Sequence, residues 1–341
     1  MSVALVLTAI FVLAISILLT AIMRRFALSH GVLDVPNARS SHAQPTPRGG
    51  GVSIVVASTF ALLVLTVQGL VPPDLALGLC GGFAVAVIGF IDDRHKVPPA
   101  IRLLVHVAAA VWALVCLGGL PPLRLGDHIV TFGWLGYGLG ALGIVWTLNL
   151  FNFMDGIDGI AGTEAIFIAG AGGALAILTA SAPAIAIVSL MFGVACGGFL
   201  WWNWPPAKIF MGDVGSGYVG FFIAVLAIAA ARENSVALLV WLILGGVFFV
   251  DATVTFVRRL ARGERVYEAH RSHAYQWLAR RWRSHRRVTL LVSLINVTWL
   301  LPAAVIASTR PSLAGWFACA ALIPLAAAAV AAGAGRDEER R

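Results

Sequence analysis

The sequence predicts an all-α, polytopic integral membrane protein of about eleven transmembrane helices. Three observations predict it. Of 341 residues, 60% are hydrophobic and only 12% charged, with a mean hydropathy of +0.90, whereas a soluble globular domain sits nearer half apolar and a quarter charged. The apolar residues fall into runs near the ~20 residues that a bilayer core needs. All but three of the 24 Lys and Arg (Arg124, Arg232 and Arg310) lie on one assigned side of those runs, a positive-inside distribution.

In chain order, residues 3–23 form an apolar run ended by Arg24-Arg25. The run is longer than a signal peptide's and lacks a basic flank before it, so it is expected to be a retained first helix. Further spans are expected at 51–70, 75–91, 100–119, 133–149, 160–180, 184–203, 215–231, 236–257, 288–307 and 312–333. An odd count places the N-terminus outside and the C-terminus in the cytoplasm. Residues 1–341 then read as one membrane-embedded domain without internal repeats, its outward loops short and turn-like. The net charge of +8 follows topology and gives no reason to expect nucleic acid. Cys80, Cys116, Cys196 and Cys319 all fall in apolar runs and read as small core residues.

Five cytoplasmic segments remain, 24–50, 92–99, 150–159, 204–214 and 258–287, and most of the acids lie on this basic side too. Topology alone does not explain that. The first ends RSSHAQPTPRGGG, where Arg39, His42 and Arg48 supply donors among irregular, Gly-rich backbone, suited to phosphate or sugar; a plain basic juxtamembrane loop is the simpler alternative. The second, DDRHK, places Asp92 and Asp93 side by side at a span's end, with Lys96 as a point charge for a phosphate. In the third, NLFNFMDGIDGIAG, helix capping would explain one of Asp155 and Asp158 but not the glycines or Asn149 and Asn152. If the sixth helix starts at Met154, both acids sit in its first turn, with Glu164 a turn further on.

The fourth segment sets Phe210 two residues before a Gly-Asp pair, Gly212-Asp213, which a Gly-Ser-Gly turn follows, a plausible pocket for ring stacking, metal ligation and phosphate contact. The fifth contains His270, Arg271 and His273, with the two His at a spacing that can share a helix face; so many Arg nearby favour a diphosphate over a transition metal. Arg280, Arg281, Arg283, Arg286 and Arg287 suit anionic membrane lipid. Asp251, two turns before Arg258 and Arg259, is open between an internal ion pair and a site role.

RSSHAQPTPRGGG, DDRHK, NLFNFMDGIDG, FMGDVGSG and HRSHAYQ, in this order over about 37–276, together resemble the polyprenyl-phosphate N-acetylhexosamine-1-phosphate transferases, glycosyltransferase family 4. The eleven-span layout and the RSSH and HRSHAYQ segments look most like the initiators of O-antigen, including those that load N-acetylfucosamine or N-acetylquinovosamine. The resemblance implies transfer of a sugar 1-phosphate from a UDP-N-acetylhexosamine to undecaprenyl phosphate in the bacterial inner membrane, on its cytoplasmic face. It implies Mg²⁺, with Mn²⁺ as an alternative, and is compatible with a homodimer. By residue, it implies Asp213 as metal ligand with Asp155 supporting, and Phe210 as the uracil-stacking ring. Asn152, Asp155 and Asp158 would read the nucleotide, and His270, Arg271 and His273 the diphosphate or sugar. Asp92 and Asp93 would sit by the lipid phosphate with Lys96, and His42 and Arg48 would complete the substrate contacts. The competing classes are an ion-coupled transporter, which needs acids at span midpoints and repeated halves, and a non-catalytic member of the family.

Overall fold

A computed structural model describes residues 3–36, 44–126, 128–179, 182–264 and 270–336. It is all-α apart from two short hairpins. The helices are α1 (Val3–Ser29), α2 (Val52–Val67), α3 (Pro73–Asp92), α4 (Pro99–Leu117), α5 (Leu135–Met154), α6 (Ile160–Leu178) and α7 (Pro183–Asn203). They continue as α8 (Asp213–Arg232), α9 (Leu238–Leu244), α10 (Gly246–Ala261), α11 (Ala274–Trp282), α12 (His285–Ile295), α13 (Leu301–Thr309) and α14 (Ala314–Ala332). The hairpins pair β1 (Leu33–Asp34) with β2 (Thr46–Pro47), and β3 (Leu123–Leu125) with β4 (His128–Val130); the second occupies a loop expected to be a simple turn.

Among the described residues nine helical spans are long and apolar enough to cross a membrane, or ten when α9 and α10 are joined. The sixteen-residue α2 falls just short of that length. The ninth expected span is not one rod: α9 and α10 meet at 83° across Gly245. The tenth is α12 and α13 joined through a π-helical turn, Asn296–Leu300, with Pro302 just beyond. A Pro lacks the N–H that would continue the ladder, and a wide turn before it absorbs the mismatch.

The bundle is built around α8. Every residue from Val214 to Ala230 is buried, with α3 and α5 packed most closely on it. The outer helices show the reverse: α1 and α14 bury only 22% of their apolar windows and present Ile10, Phe11, Leu18, Trp316 and Ile323 outward. A helix apolar all round is stable in lipid, so these faces need no protein cover. Small residues set the closest approach. A side chain on Gly51 would strike the backbone of Gly215, so the first turns of α2 and α8 touch backbone to backbone.

Candidate active site

The site is assembled at the N-terminus of α8. Backbone bonds first join two of the sequence segments: Phe210 N–H donates to Pro47 O at 2.8 Å, Gly50 N–H to Phe210 O at 2.9 Å and Gly51 N–H to Met211 O at 2.9 Å. This short ladder sets Arg48 beside Asp213. Gly212 then turns the chain with φ +76°, and a Cβ there would lie 2.5 Å from Asp93 Oδ2, so glycine alone fits. The Asp93 carboxylate accepts from Asp213 N–H at 2.9 Å and Val214 N–H at 3.2 Å, capping α8 from another helix.

Asp213 is held on three sides. Arg48 Nη2 lies 2.5 Å from Asp213 Oδ1, while its Nε lies 2.8 Å from Asp93 Oδ1. Arg102 Nη1 joins Asp92 Oδ2 at 2.5 Å to Asp213 Oδ2 at 3.4 Å. Asn152 Nδ2 donates to Asp213 Oδ1 at 3.1 Å and to Ser216 Oγ at 3.0 Å. The neighbouring acids Asp92 and Asp93 thus face different partners. Asp93 has a side chain 1% exposed, and burial pushes it up to about 6 against the pull of Arg48. Burial also lowers Arg48, but Asp213 and Asp93 outweigh it and hold the guanidinium above its usual value.

A sixth helix starting at Met154 would place Asp155 and Asp158 in its first turn, and the structure corrects this. α5 runs through Met154 and α6 starts only at Ile160, so both acids stand in the intervening loop. Glycines are the reason: Gly159 has φ +76°, and a side chain on Gly156 would strike the Tyr275 hydroxyl. Asp155 is pushed well up by burial, with Arg48 opposing and Asp213, Asp93 and Asp158 adding. Asp158 Oδ2 accepts from Ala207 N–H at 3.0 Å, and its Oδ1 lies 3.1 Å from His285 Nδ1.

A cavity of about 830 Å³ is lined by Thr46, Asp158, Phe210, Arg280, Arg283 and His285. A second, of about 210 Å³, is lined by Arg102, His106, Asn152 and Asp213 together with Leu103, Leu148 and Phe153. The larger lies within the size range of small-molecule sites.

His270 and His273 share no helix face, because α11 begins only after His273, which is its N-cap. Their rings nonetheless stack at 4.9 Å, and Tyr275 ties the segment to the Asp155 loop by donating to Phe153 O at 2.9 Å. Burial first, then His273 and Arg259, push His270 down to about 3, so its imidazole is neutral and offers a hydrogen bond rather than a charge. Asp251 is in no ion pair with Arg258 or Arg259; it accepts from Ala274 N–H at 2.9 Å and Tyr275 N–H at 3.0 Å, at the start of α11. Arg271 lies on the same loop, its carbonyl accepting from Arg280 at 2.9 Å. Lys96 is exposed; the cation that meets Asp92 and Asp213 is Arg102. His42 lies outside the described residues.

Arg102 and His285 are the residues that sequence reasoning missed. A basic residue inside an expected span is the signal that could have found Arg102; His285 offered none among so many basic neighbours. For a metal, the donor set is all oxygen. Among the described residues no three His, Cys, Asp or Glu converge as a cage. Mg²⁺ typically takes one or two protein carboxylates and completes its shell with substrate phosphate and water, so Asp213 and Asp92 fit it.

The sequence profile of glycosyl transferase family 4 matches residues 75–231, the stretch that carries every acid of this cluster. Over 262 residues the chain is 34% identical to a phospho-N-acetylmuramoyl-pentapeptide-transferase of Saccharopolyspora erythraea, covering 63% of this chain and 70% of that protein. The chain belongs to glycosyl transferase family 4. This family 4 member is a phosphotransferase of the membrane-embedded type. It is 29% identical over 307 residues to a probable undecaprenyl-phosphate N-acetylglucosaminyl 1-phosphate transferase of Bacillus subtilis, covering 86% of this chain and 82% of that protein. A similar transferase of Yersinia pestis, an undecaprenyl-phosphate alpha-N-acetylglucosaminyl 1-phosphate transferase, is 26% identical over 302 residues, 84% of this chain and 80% of that protein.

Proposed function

We propose that this transferase moves an N-acetylhexosamine 1-phosphate from a UDP-sugar to undecaprenyl phosphate, releasing UMP. The product would be the first lipid-linked intermediate of O-antigen or another envelope polysaccharide, made at the cytoplasmic face of a bacterial inner membrane. One observation carries the reading: Asp213 is held between Arg48 and Arg102 at a cavity lined by polar side chains (Arg102, His106, Asn152) together with apolar ones (Leu103, Leu148, Phe153).

The smaller cavity suits the acceptor, with Arg102 and Asn152 for its phosphate and Leu103, Leu148 and Phe153 for the first isoprene units. The larger suits the donor, with Phe210 to stack on the uracil and Asp158 to accept from it. A lipid phosphate oxygen attacks the β-phosphorus, the bond from that phosphorus to the bridging oxygen breaks, and UMP departs. Two anions must meet, and Arg48 and Arg102 bring guanidinium charge to the meeting point. Mg²⁺, held by Asp213 and Asp92, would when bound neutralise charge on the transferring phosphoryl group. Asp93 fixes Asp213 rather than acting as base, and a phosphate monoester, with a second pKa of about 6, needs no base at neutral pH. His270 faces the sugar or its phosphate as a neutral donor, with the buried His273 ring stacked against it.

The test is release of UMP from a panel of UDP-N-acetylhexosamines, 6-deoxy forms included, by purified protein given undecaprenyl phosphate and Mg²⁺. Turnover of one donor is expected. No turnover with any would overturn the reading.

A further inference from the structure

Two polar side chains of α12 and that of its C-cap residue Asn296 point at one short piece of chain. His285 meets the Asp158 carboxylate at 3.1 Å, Thr289 Oγ1 donates to Asp158 O at 3.1 Å, and Asn296 Nδ2 donates to Glu164 Oε2 at 2.6 Å. At about 100° per residue the three positions fall within about 40° of one another around the helix, so they form one stripe. All three of these contacts fall between the donor loop and the second turn of α6.

The deepest of these ties has an unusual balance. Glu164 is fully buried and Asn296 is 1% exposed. Glu164 Oε1 and Asn296 Oδ1 are both enclosed, and neither has a hydrogen-bond partner. An ionised carboxylate only accepts, and would leave both oxygens unpaired in an apolar interior. A carboxylic acid can satisfy both: with Oε2 accepting from Nδ2, a proton on Oε1 gives Asn296 Oδ1 the donor it lacks, as in a cyclic acid–amide pair. The pair stands where regular α12 gives way to the π-helical turn. It thus fastens His285–Ile295 to α6 at the point where continuity with α13 is loosest.

We propose that α12 is a strut that sets the place of Asp158, with Asn296 and a neutral Glu164 as its anchor and Thr289 as the positioning contact for the donor. This rests on the reading of Asp158 as a donor residue. In purified enzyme, with the best donor of the UDP-sugar panel, Asn296→Leu and Thr289→Val are expected to raise the donor KM about tenfold, since small misplacements at a site are costly. The acceptor KM should stay within about twofold of the native value, because no contact of α12 reaches the Arg102 cavity. Glu164→Gln, whose amide rebuilds the cyclic pair, should keep the native donor KM. A Glu164→Gln donor KM as high as that of Asn296→Leu overturns the neutral anchor. An equal rise in both substrates' KM, or a fall in kcat alone, overturns the strut. If Asn296→Leu fails to fold, Thr289→Val decides the kinetic question. If the native protein turns over no UDP-sugar, the functional reading fails and infrared spectroscopy decides the anchor separately. A protonated-carboxyl band lost in Glu164→Gln supports it, and identical spectra overturn it.

Discussion

The carboxylate of Asp93 caps the helix that begins with Asp213, accepting from that residue's own backbone N–H at 2.9 Å. One acid of the DDRHK segment therefore sets the position of the acid most exposed to chemistry. Asp93→Ala should cost about 1–2 kcal/mol of stability, as loss of a cap does, and should lower turnover although Asp93 touches no substrate. Asp93→Asn, which still accepts with one oxygen, should fall between. Thermal unfolding and kcat of the same preparations check both.

Arg102 is the basic residue that bridges Asp92 and Asp213. Arg102→Ala should reduce kcat about a thousandfold, the scale on which a single arginine stabilises phosphoryl transfer. Arg102→Lys should recover only part of it, because the Lys ammonium ends one bond short of the Nη1 that makes both contacts and leaves no further donor for a phosphate. Lys96→Ala, on the exposed loop, should leave kcat within about threefold, surface changes being worth little.

Asp213→Ala should lower turnover about a hundredfold or more and flatten its dependence on Mg²⁺ concentration. Near-native rates would remove Asp213 from the metal site. Phe210→Ala should raise the donor KM by about tenfold or more, the scale of one base–aromatic stack, with the lipid KM unchanged. If only the lipid KM moved, the two cavities would have to exchange occupants.

His270 is pushed from an ordinary 6.5 down to about 3. The unfolded chain then binds more protons than the folded one between these values, so stability rises with pH there. The raised carboxyls Asp93 and Asp155 act in the opposite sense, so the check is a difference: acidifying from pH 7 to 5 should change the Tm of the native protein less favourably than that of His270→Gln. Neutral throughout this range, His270 should add no limb to the pH–rate profile.

Much of the site was legible before the fold. QPTPRGGG, DDRHK, NLFNFMDGIDG and FMGDVGSG reach one place, and the spans lie near their expected positions. Contacts far apart in sequence were not legible: Asp251 was open between an ion pair with Arg258 and Arg259 and a site role, and it in fact accepts from backbone N–H groups more than twenty residues on. Glycines misled in the Asp155–Asp158 loop, where apolar periodicity continued through a turn that Gly159 in fact bends. The break at Gly245 was hidden for the opposite reason, since composition there is uniformly apolar and carries no mark of an 83° angle.

α8 shows the lipid no face at all between Val214 and Ala230. Peripheral helices such as α1 and α14 must tilt or draw lipid around them when bilayer thickness changes. The depth of α8 is fixed by its protein neighbours instead, and Asp213 stands at its tip. Turnover in vesicles is therefore expected to vary little with acyl-chain length, the acid at the tip of α8 being insulated from the thickness of the surrounding membrane.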